Sequence, residues 1–181
     1  FGRYIAGPYC GALLGDLGAE VIRIERLSGS EDRFIHPLKE EGGEGAMFMQ
    51  MNRNKKGMTL NPTKEGAATI VEKLIKSADV VIANLPPQTL KRMGIDYGTI
   101  SKYNPGIILT TVSAFGAGGP YSERVGFDGV GQAMSGAAYL TGNENEPVKA
   151  YSPYIDYGTA SLTAMGTLAA IIERNETGKG Q

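Results

Sequence analysis

The feature that most constrains this chain is the alternation of short β-branched runs with helical patterns. Val21-Ile22-Arg23-Ile24-Glu25, Asp79 to Asn84 and Ile107 to Val112 each read as a short apolar strand. Between them lie segments with helical spacing. Leu13, Leu14 and Leu17 recur after Pro8 and stop at Gly18. Ala67, Ile70, Leu74 and Ile75 follow a start at Thr63, and Leu90 to Met93 and Asp96 to Tyr103 read as short helices. Asp128 to Leu140 and Tyr157 to Arg174 read as longer ones. Leu27 to Glu44 reads as a long loop, Met47 to Leu60 as irregular, and Ala114 to Pro120 as a loop. Strands that alternate with helices predict an α/β fold, a parallel sheet with helices on both faces. In such sheets ligands sit at the carboxyl ends of the strands, so the loops after Glu25, Asn84 and Val112 are the places to look.

Composition narrows the function. With 181 residues, 41% hydrophobic and 20% charged, the chain can bury a core and is not a disordered segment. Formal net charge is −1, which argues against a nucleic-acid or anionic-membrane surface while leaving room for a local basic pocket. One cysteine, Cys10, excludes an internal disulfide and a multi-Cys metal site, and one histidine, His36, makes a Ser-His-Asp triad hard to build. No apolar run approaches the roughly 18 residues of a membrane span. The chain opens at Phe1 without Met and closes on a polar stretch to Gln181, so it reads as a fragment of a longer protein. It is expected to form one unit over residues 1–181.

Individual residues admit two readings each. Gly7, Gly11, Gly15 and Gly18 lie ahead of a strand ending in Glu25, as in a dinucleotide site, but no G-x-G-x-x-G occurs. Intervals of four, four and three favour a small-residue helix face packed on a sheet. The basic run Arg53-Asn54-Lys55-Lys56 reads as a solvated loop or a phosphate contact. Arg26 and Arg92 stand better, near strand ends, where a guanidinium suits an anionic ligand. Asp156 precedes a long apolar helix and sits among Tyr151, Tyr154 and Tyr157. It is either an ordinary N-cap or a held, partly desolvated nucleophile. Asp128 is a second candidate N-cap. Cys10 is expected inside, on a helix, and His36 on a loop surface.

These pieces, in order, resemble the class III CoA-transferase family, which includes formyl-CoA and carnitine CoA-transferases and α-methylacyl-CoA racemases. The resemblance rests on Ala6-Gly7-Pro8, Leu17 to Glu25, Asn52 to Lys56, Ala78 to Val81 with Asn84, and Arg92-Met93-Gly94. It continues through Asn104 to Ile108, Gly119-Pro120-Tyr121, Gly126-Phe127-Asp128, Gln132 to Gly136, Asp156 and Thr177 to Gln181. It implies a Rossmann-like large domain, an interlocked homodimer and a small domain outside this segment. A cytoplasmic location is the expectation for such an enzyme.

The resemblance also implies chemistry. Asp156 stands where the family has its nucleophile, which attacks an acyl-CoA thioester and forms a mixed anhydride and then an aspartyl-CoA thioester. Coenzyme A enters as part of the substrate, with a carboxylic acid as acceptor and no metal. By the same carry-over Ile5 and Ala6 lie near the thiol and pantetheine arm, and Arg26 and Arg92 face the nucleotide phosphates. Leu60 and Asn61 lie near the adenine, Asn84, Leu85 and Pro86 along the pantetheine, and Val125, Gly126, Phe127 and Asp128 in the acyl and thiol region. Ile5 occupies a glutamine position of formyl-CoA transferase, which argues against formate or oxalate. The racemases carry His in the triplet that here reads Gly126-Phe127-Asp128, and Phe cannot move a proton. The tyrosine-rich stretch 150–160 resembles transferases acting on 2-hydroxy or aryl acids. The rival readings are an acyl-CoA racemase, a nicotinamide-dependent reductase and a non-catalytic CoA-binding fragment.

Overall fold

The computed structural model describes residues 1–37, 43–62 and 64–181. Helix α1 (Ala6–Asp16) leads into strand β1 (Val21–Glu25), a 3-10 turn (Glu31–Phe34), helix α2 (Ala46–Met51) and strand β2 (Lys55–Thr59). Helix α3 (Ala67–Ser77), strand β3 (Val80–Ala83), helices α4 (Pro87–Met93) and α5 (Tyr97–Tyr103) and strand β4 (Ile108–Thr111) follow. Helices α6 (Asp128–Met134), α7 (Ala137–Thr141) and α8 (Tyr154–Thr177) complete the described elements.

The strands pair in parallel, β1 with β2 and β3 with β4, as strands separated by helices must. Among the described residues they form two pairs and not one continuous sheet. Strands β1 and β3 both line a cavity of about 710 Å³ between the pairs. Strand β3 shows why helices cover both faces. Val81 and Ala83 point into a core with Val71, Ile75, Ile100 and Ile107, from α3, α5 and the approach to β4. Ile82, pointing the other way, packs against Cys10, Leu14, Ala160 and Ala164 of α1 and α8. Thr110 of β4 and Thr167 of α8 join through their hydroxyls at 2.8 Å.

Several sequence expectations shift. The segment from Met47 to Leu60 is not irregular: it holds most of α2 and all of β2. Its lysines disguise a strand whose partner is β1. The basic run is used internally. Arg53 pairs with Asp16, Lys56 with Glu20, and Lys55 donates to the carbonyls of Pro8 (2.6 Å) and Met51 (2.9 Å) and to Asn52 Oδ1 (3.0 Å). Burial pushes the Lys55 ammonium down to about 7, with Arg23 adding repulsion. The buried stripe of α3 is Ala67, Val71 and Ile75, while Ile70 faces solvent. Thr63, the expected start of that helix, lies outside the described residues. The expected helix from Asp128 to Leu140 is two helices, broken where Gly136 takes φ +80°.

Helix α8 is longer than its pattern suggested and, against the sequence expectation, is long and apolar enough by length and composition to cross a membrane. Ala160, Ala164 and Thr167 are its buried residues, and they face α1 and β4. The small-residue face of α1 does what helical glycine spacing suggested. A Cβ at Gly11 or Gly15 would come 3.5–3.6 Å from Val21, so the helix lies close over β1. Cys10 is fully buried, and burial raises its thiol to about 11, which leaves it unreactive. His36 is exposed in a loop.

Candidate functional site

A cleft of about 220 Å³ opens beyond the carboxyl ends of β3 and β4. Asn84, Leu85 and Pro86 form one wall after β3, and Val112, Ser113 and Ala114 continue it after β4. The turn into α1 supplies Tyr4, Ile5 and Ala6, the entry to α6 supplies Val125, Gly126 and Phe127, and α8 supplies Asp156 and Thr159. Ile5, Ala6, Asn84, Leu85, Pro86, Val125, Gly126, Phe127 and Asp156 thus converge from four separate stretches of chain.

Other predicted residues stand elsewhere. Arg26 is exposed after β1, paired with Glu31 at 2.8 Å, with its Nε donating to Gly29 at 2.7 Å. Arg92 is in the last turn of α4, and Leu60 packs at the edge of the α3/α5 core. Asn61 accepts the Lys64 N–H on its carbonyl. Arg26, Leu60, Asn61 and Arg92 do not line the cleft. Neither does Asp128, which is buried behind it.

The turn into α1 is shaped by distant side chains. Asn84 acts as a strand edge: Oδ1 accepts the Arg3 N–H (3.0 Å) and Nδ2 donates to the Arg3 carbonyl (2.8 Å). Tyr4 then takes φ +65°, uncommon outside glycine, with its N–H donated to Asp32 Oδ2 at 2.8 Å. That turn brings the Tyr4 ring edge-on to Phe127 at 5.3 Å. Asp32 is itself held by Arg23, at 2.9 Å with both groups buried.

Asp156 is not the cap of its helix. The cap position is Pro153, and Asp156 is the third residue of α8. The cap comes from α6. Asp128, expected to cap its own helix, is the first residue of α6 after Phe127. Its Oδ2 accepts the N–H groups of Ile155 (2.9 Å) and Asp156 (3.3 Å), which α8 cannot satisfy internally. Its Oδ1 accepts from Gln132 Nε2. A carboxylate in a helix first turn is ordinarily favoured by the helix dipole. Burial outweighs that here, and the Asp128 charge adds to it, so the Asp156 carboxyl is pushed up to about 6. Next to it, Tyr157 meets Tyr9 of α1 edge-on at 5.1 Å, and burial raises its phenol.

The contact between α6 and α8 is close. A Cβ at Gly131 would lie 2.9 Å from Ile155 Cγ2, a β-branched atom that cannot swing aside. Gly131→Ala is expected to displace the start of α8. The expected cost is about 1–3 kcal/mol in thermal or urea unfolding, from overpacking.

Sequence reasoning did not single out Arg3, Tyr4, Ser113, Arg124, Thr159 or Gly131, and it named Gln132 only within a motif, with no role. One signal was present: Gln132 follows Asp128 by four residues, so the two share a helix face. Arg3 and Tyr4 are placed by pairings with Asn84, Glu31 and Asp32 that no local pattern records.

Comparisons with known proteins identify the family. The family model described as CoA-transferase family III matches residues 1–181. The chain is 37% identical to a succinyl-CoA–D-citramalate CoA-transferase of Chloroflexus aurantiacus, over 99% of this chain and 45% of that protein. It is 35% identical to a human succinyl-CoA:glutarate CoA-transferase, over 98% of this chain and 41% of that one. A crystal structure of a CAIB/BAIF family protein from Brucella suis superposes with a TM-score of 0.93 at 37% identity, covering 100% of this chain and 49% of that one. The chain spans less than half the length of the curated relatives it matches. A whole-chain family match, relatives at this identity and the same α/β fold together mean that this chain belongs to CoA-transferase family III.

Proposed function

We propose that the protein moves coenzyme A between an acyl-CoA and a free carboxylic acid, with Asp156 as the covalent nucleophile. The observation that carries this reading is the half-buried Asp156 carboxylate at the start of α8, lining a cleft at the strand ends. Desolvation makes it a better nucleophile than a solvated carboxylate. Its oxygen attacks the thioester carbonyl carbon, the C–S bond breaks, and CoA leaves as thiolate, giving a mixed anhydride. The thiolate attacks the Asp156 carbonyl carbon and releases the donor acid as carboxylate, leaving an aspartyl-CoA thioester. The acceptor carboxylate attacks that thioester carbon and expels the thiolate. The thiolate then attacks the acceptor's carbonyl carbon, giving the new acyl-CoA and freeing Asp156. Every step exchanges an anion for an anion, so no proton acid is required.

The relatives' names mention succinyl-CoA, D-citramalate, L-malate and glutarate. D-citramalate and L-malate are 2-hydroxy acids, which supports the 2-hydroxy-acid reading; nothing in those names supports an aryl acid. We therefore take succinyl-CoA as the first donor to test and 2-hydroxy dicarboxylic acids as the first acceptors. The interlocked dimer belongs to the same proposal. Leu162, Met165 and Ile172 on α8 are left exposed, and a partner chain or further chain is the natural cover. The racemase reading is weaker, because Phe127 lines the cleft where that reading needs a second acid/base, and His36 is not among the cleft-lining residues.

The test is transfer of CoA from succinyl-CoA to isotopically labelled malate or citramalate by the full-length protein. Labelled acyl-CoA with ping-pong kinetics is the expected result. Exchange of the α-proton of a branched acyl-CoA without transfer would favour the racemase instead. The pH dependence follows from Asp156. The carboxylate is the reactive form, so single-turnover acylation is expected to rise as pH passes through about 6 and level off above it. A rate independent of pH across that range contradicts this assignment.

A further inference from the structure

We propose that Gln132 is a positioning residue for Asp156, acting through Asp128: it clasps the Asp128 carboxylate against the first turn of α8 and so sets where the nucleophile stands in the cleft. This rests on the reading of Asp156 as the nucleophile. Gln132 is only 1% exposed, yet both ends of its amide are used. Oε1 accepts the Ala150 N–H at 2.8 Å. Nε2 donates to Asp128 Oδ1 and lies 3.4 Å from the Ser152 carbonyl. One side chain thereby ties α6 to the segment that enters α8 from both sides of the turn at residues 150–153. With Oδ1 held, the other Asp128 oxygen faces the Ile155 and Asp156 N–H groups. A buried amide with this many partners costs the fold if any one is lost. The arrangement leaves Gln132 away from the cleft lining, so it acts on the reaction only through Asp128 and α8.

Asp128 approaches Asp156 from α6, Tyr157 is its neighbour on α8 with Tyr9 of α1 against it, and Arg3, Tyr4 and Arg124 line the same cleft. Of these, the charge that raises the Asp156 carboxyl is that of Asp128, the group Gln132 holds.

Two variants of the full-length protein test the proposal. Gln132→Met keeps length and volume and removes both hydrogen-bonding ends. Gln132→Glu keeps an acceptor for Ala150 and loses the donor to Asp128 whenever the introduced carboxyl is ionised. Both are expected to bind CoA within about twofold of the parent. Both are expected to slow formation of the covalent CoA adduct by about 10- to 100-fold, the scale of a misplaced reacting group. For Gln132→Glu the rate relative to the parent is expected to recover as pH falls and the introduced carboxyl regains a proton to donate. A purely structural role predicts a lower unfolding temperature with a pH-independent rate ratio. That result, or adduct formation at the parental rate in a folded variant, overturns the proposal. If the parent forms no adduct, the reading of Asp156 as nucleophile fails instead. The clasp is then read from the Asp156 titration by carboxyl ¹³C NMR. Gln132→Met is expected to lower its midpoint by at least about half a unit, and an unchanged midpoint overturns the clasp.

Discussion

Replacing Asp156 with Asn should abolish CoA transfer while leaving a folded protein that is more stable than the parent. The size of the activity loss follows from the role. Asn has nearly the same volume and no nucleophilic oxygen anion, so the covalent route closes and only slow background reaction remains. Loss of a covalent nucleophile in other enzymes costs on the order of 10⁴-fold or more in turnover. CoA binding should persist, since the cleft walls come from the turn into α1 and the loops after β3 and β4. The stability gain has its own sign. Burial, then Asp128, raises the Asp156 carboxyl above its ordinary value, so the folded state disfavours the charged form. That penalty is fully present above the folded value of about 6 and absent below the unfolded value near 3.8. Asp156→Asn should therefore gain on the order of 1–2 kcal/mol near pH 8 and nothing near pH 4. Retained turnover, or a gain that is the same at both pH values, would count against this account.

The second large effect concerns the support behind the cleft. Asp32 is fully buried and receives the Arg23 guanidinium through both oxygens, at 2.9 and 3.1 Å. Arg23 in turn donates to Asn52 Oδ1 at 2.9 Å and lies near Glu25. Asp32→Ala leaves that guanidinium in the interior without its main partner, which typically costs about 3–5 kcal/mol. It also releases the Tyr4 N–H, and with it the left-handed turn that aims Tyr4 at Phe127. Acyl-CoA binding should weaken along with stability. The double replacement Arg23→Met with Asp32→Leu removes both charges and should recover much of the stability, but not the Tyr4 turn. Denaturant unfolding of the single and double variants separates the two effects. A loss below about 1 kcal/mol for Asp32→Ala would mean the ion pair is not the support it looks like.

Strands β1, β3 and β4 and most of the helices were legible because their residues obey a local period, whereas the division into two strand pairs was not. Val80 to Ala83 and Ile108 to Thr111 declare themselves by β-branched content, and α8 by its long run of Ala, Leu and Ile. Strand β2 was hidden because Lys55, Lys56 and Gly57 look like a basic loop. What makes them a strand is main-chain pairing with β1 and the contacts of Lys56 with Glu20 and of Lys55 with the Pro8 carbonyl of α1, none of them local. Asp156 was singled out through the family resemblance and its nearness to the start of an apolar helix, although it stands within the first turn of that helix and not ahead of it. Its environment was not legible. The carboxylate that caps α8 lies 27 and 28 residues upstream of the N–H groups it accepts. Only the folded contact of α6 with α8 reveals it. Arg26 and Arg92 were singled out from strand-end placement, and the structure puts neither on the cleft wall.

The central claim is that Asp156 becomes covalently attached to CoA during transfer. The direct measurement is rapid-quench mass spectrometry of the full-length protein mixed with succinyl-CoA, followed by peptide mapping. This account predicts a CoA-sized mass increase confined to the peptide that carries Asp156, discharged by acceptor acid and missing from Asp156→Asn. An adduct on another residue, or transfer to the acceptor with no adduct at any quench time, would contradict it.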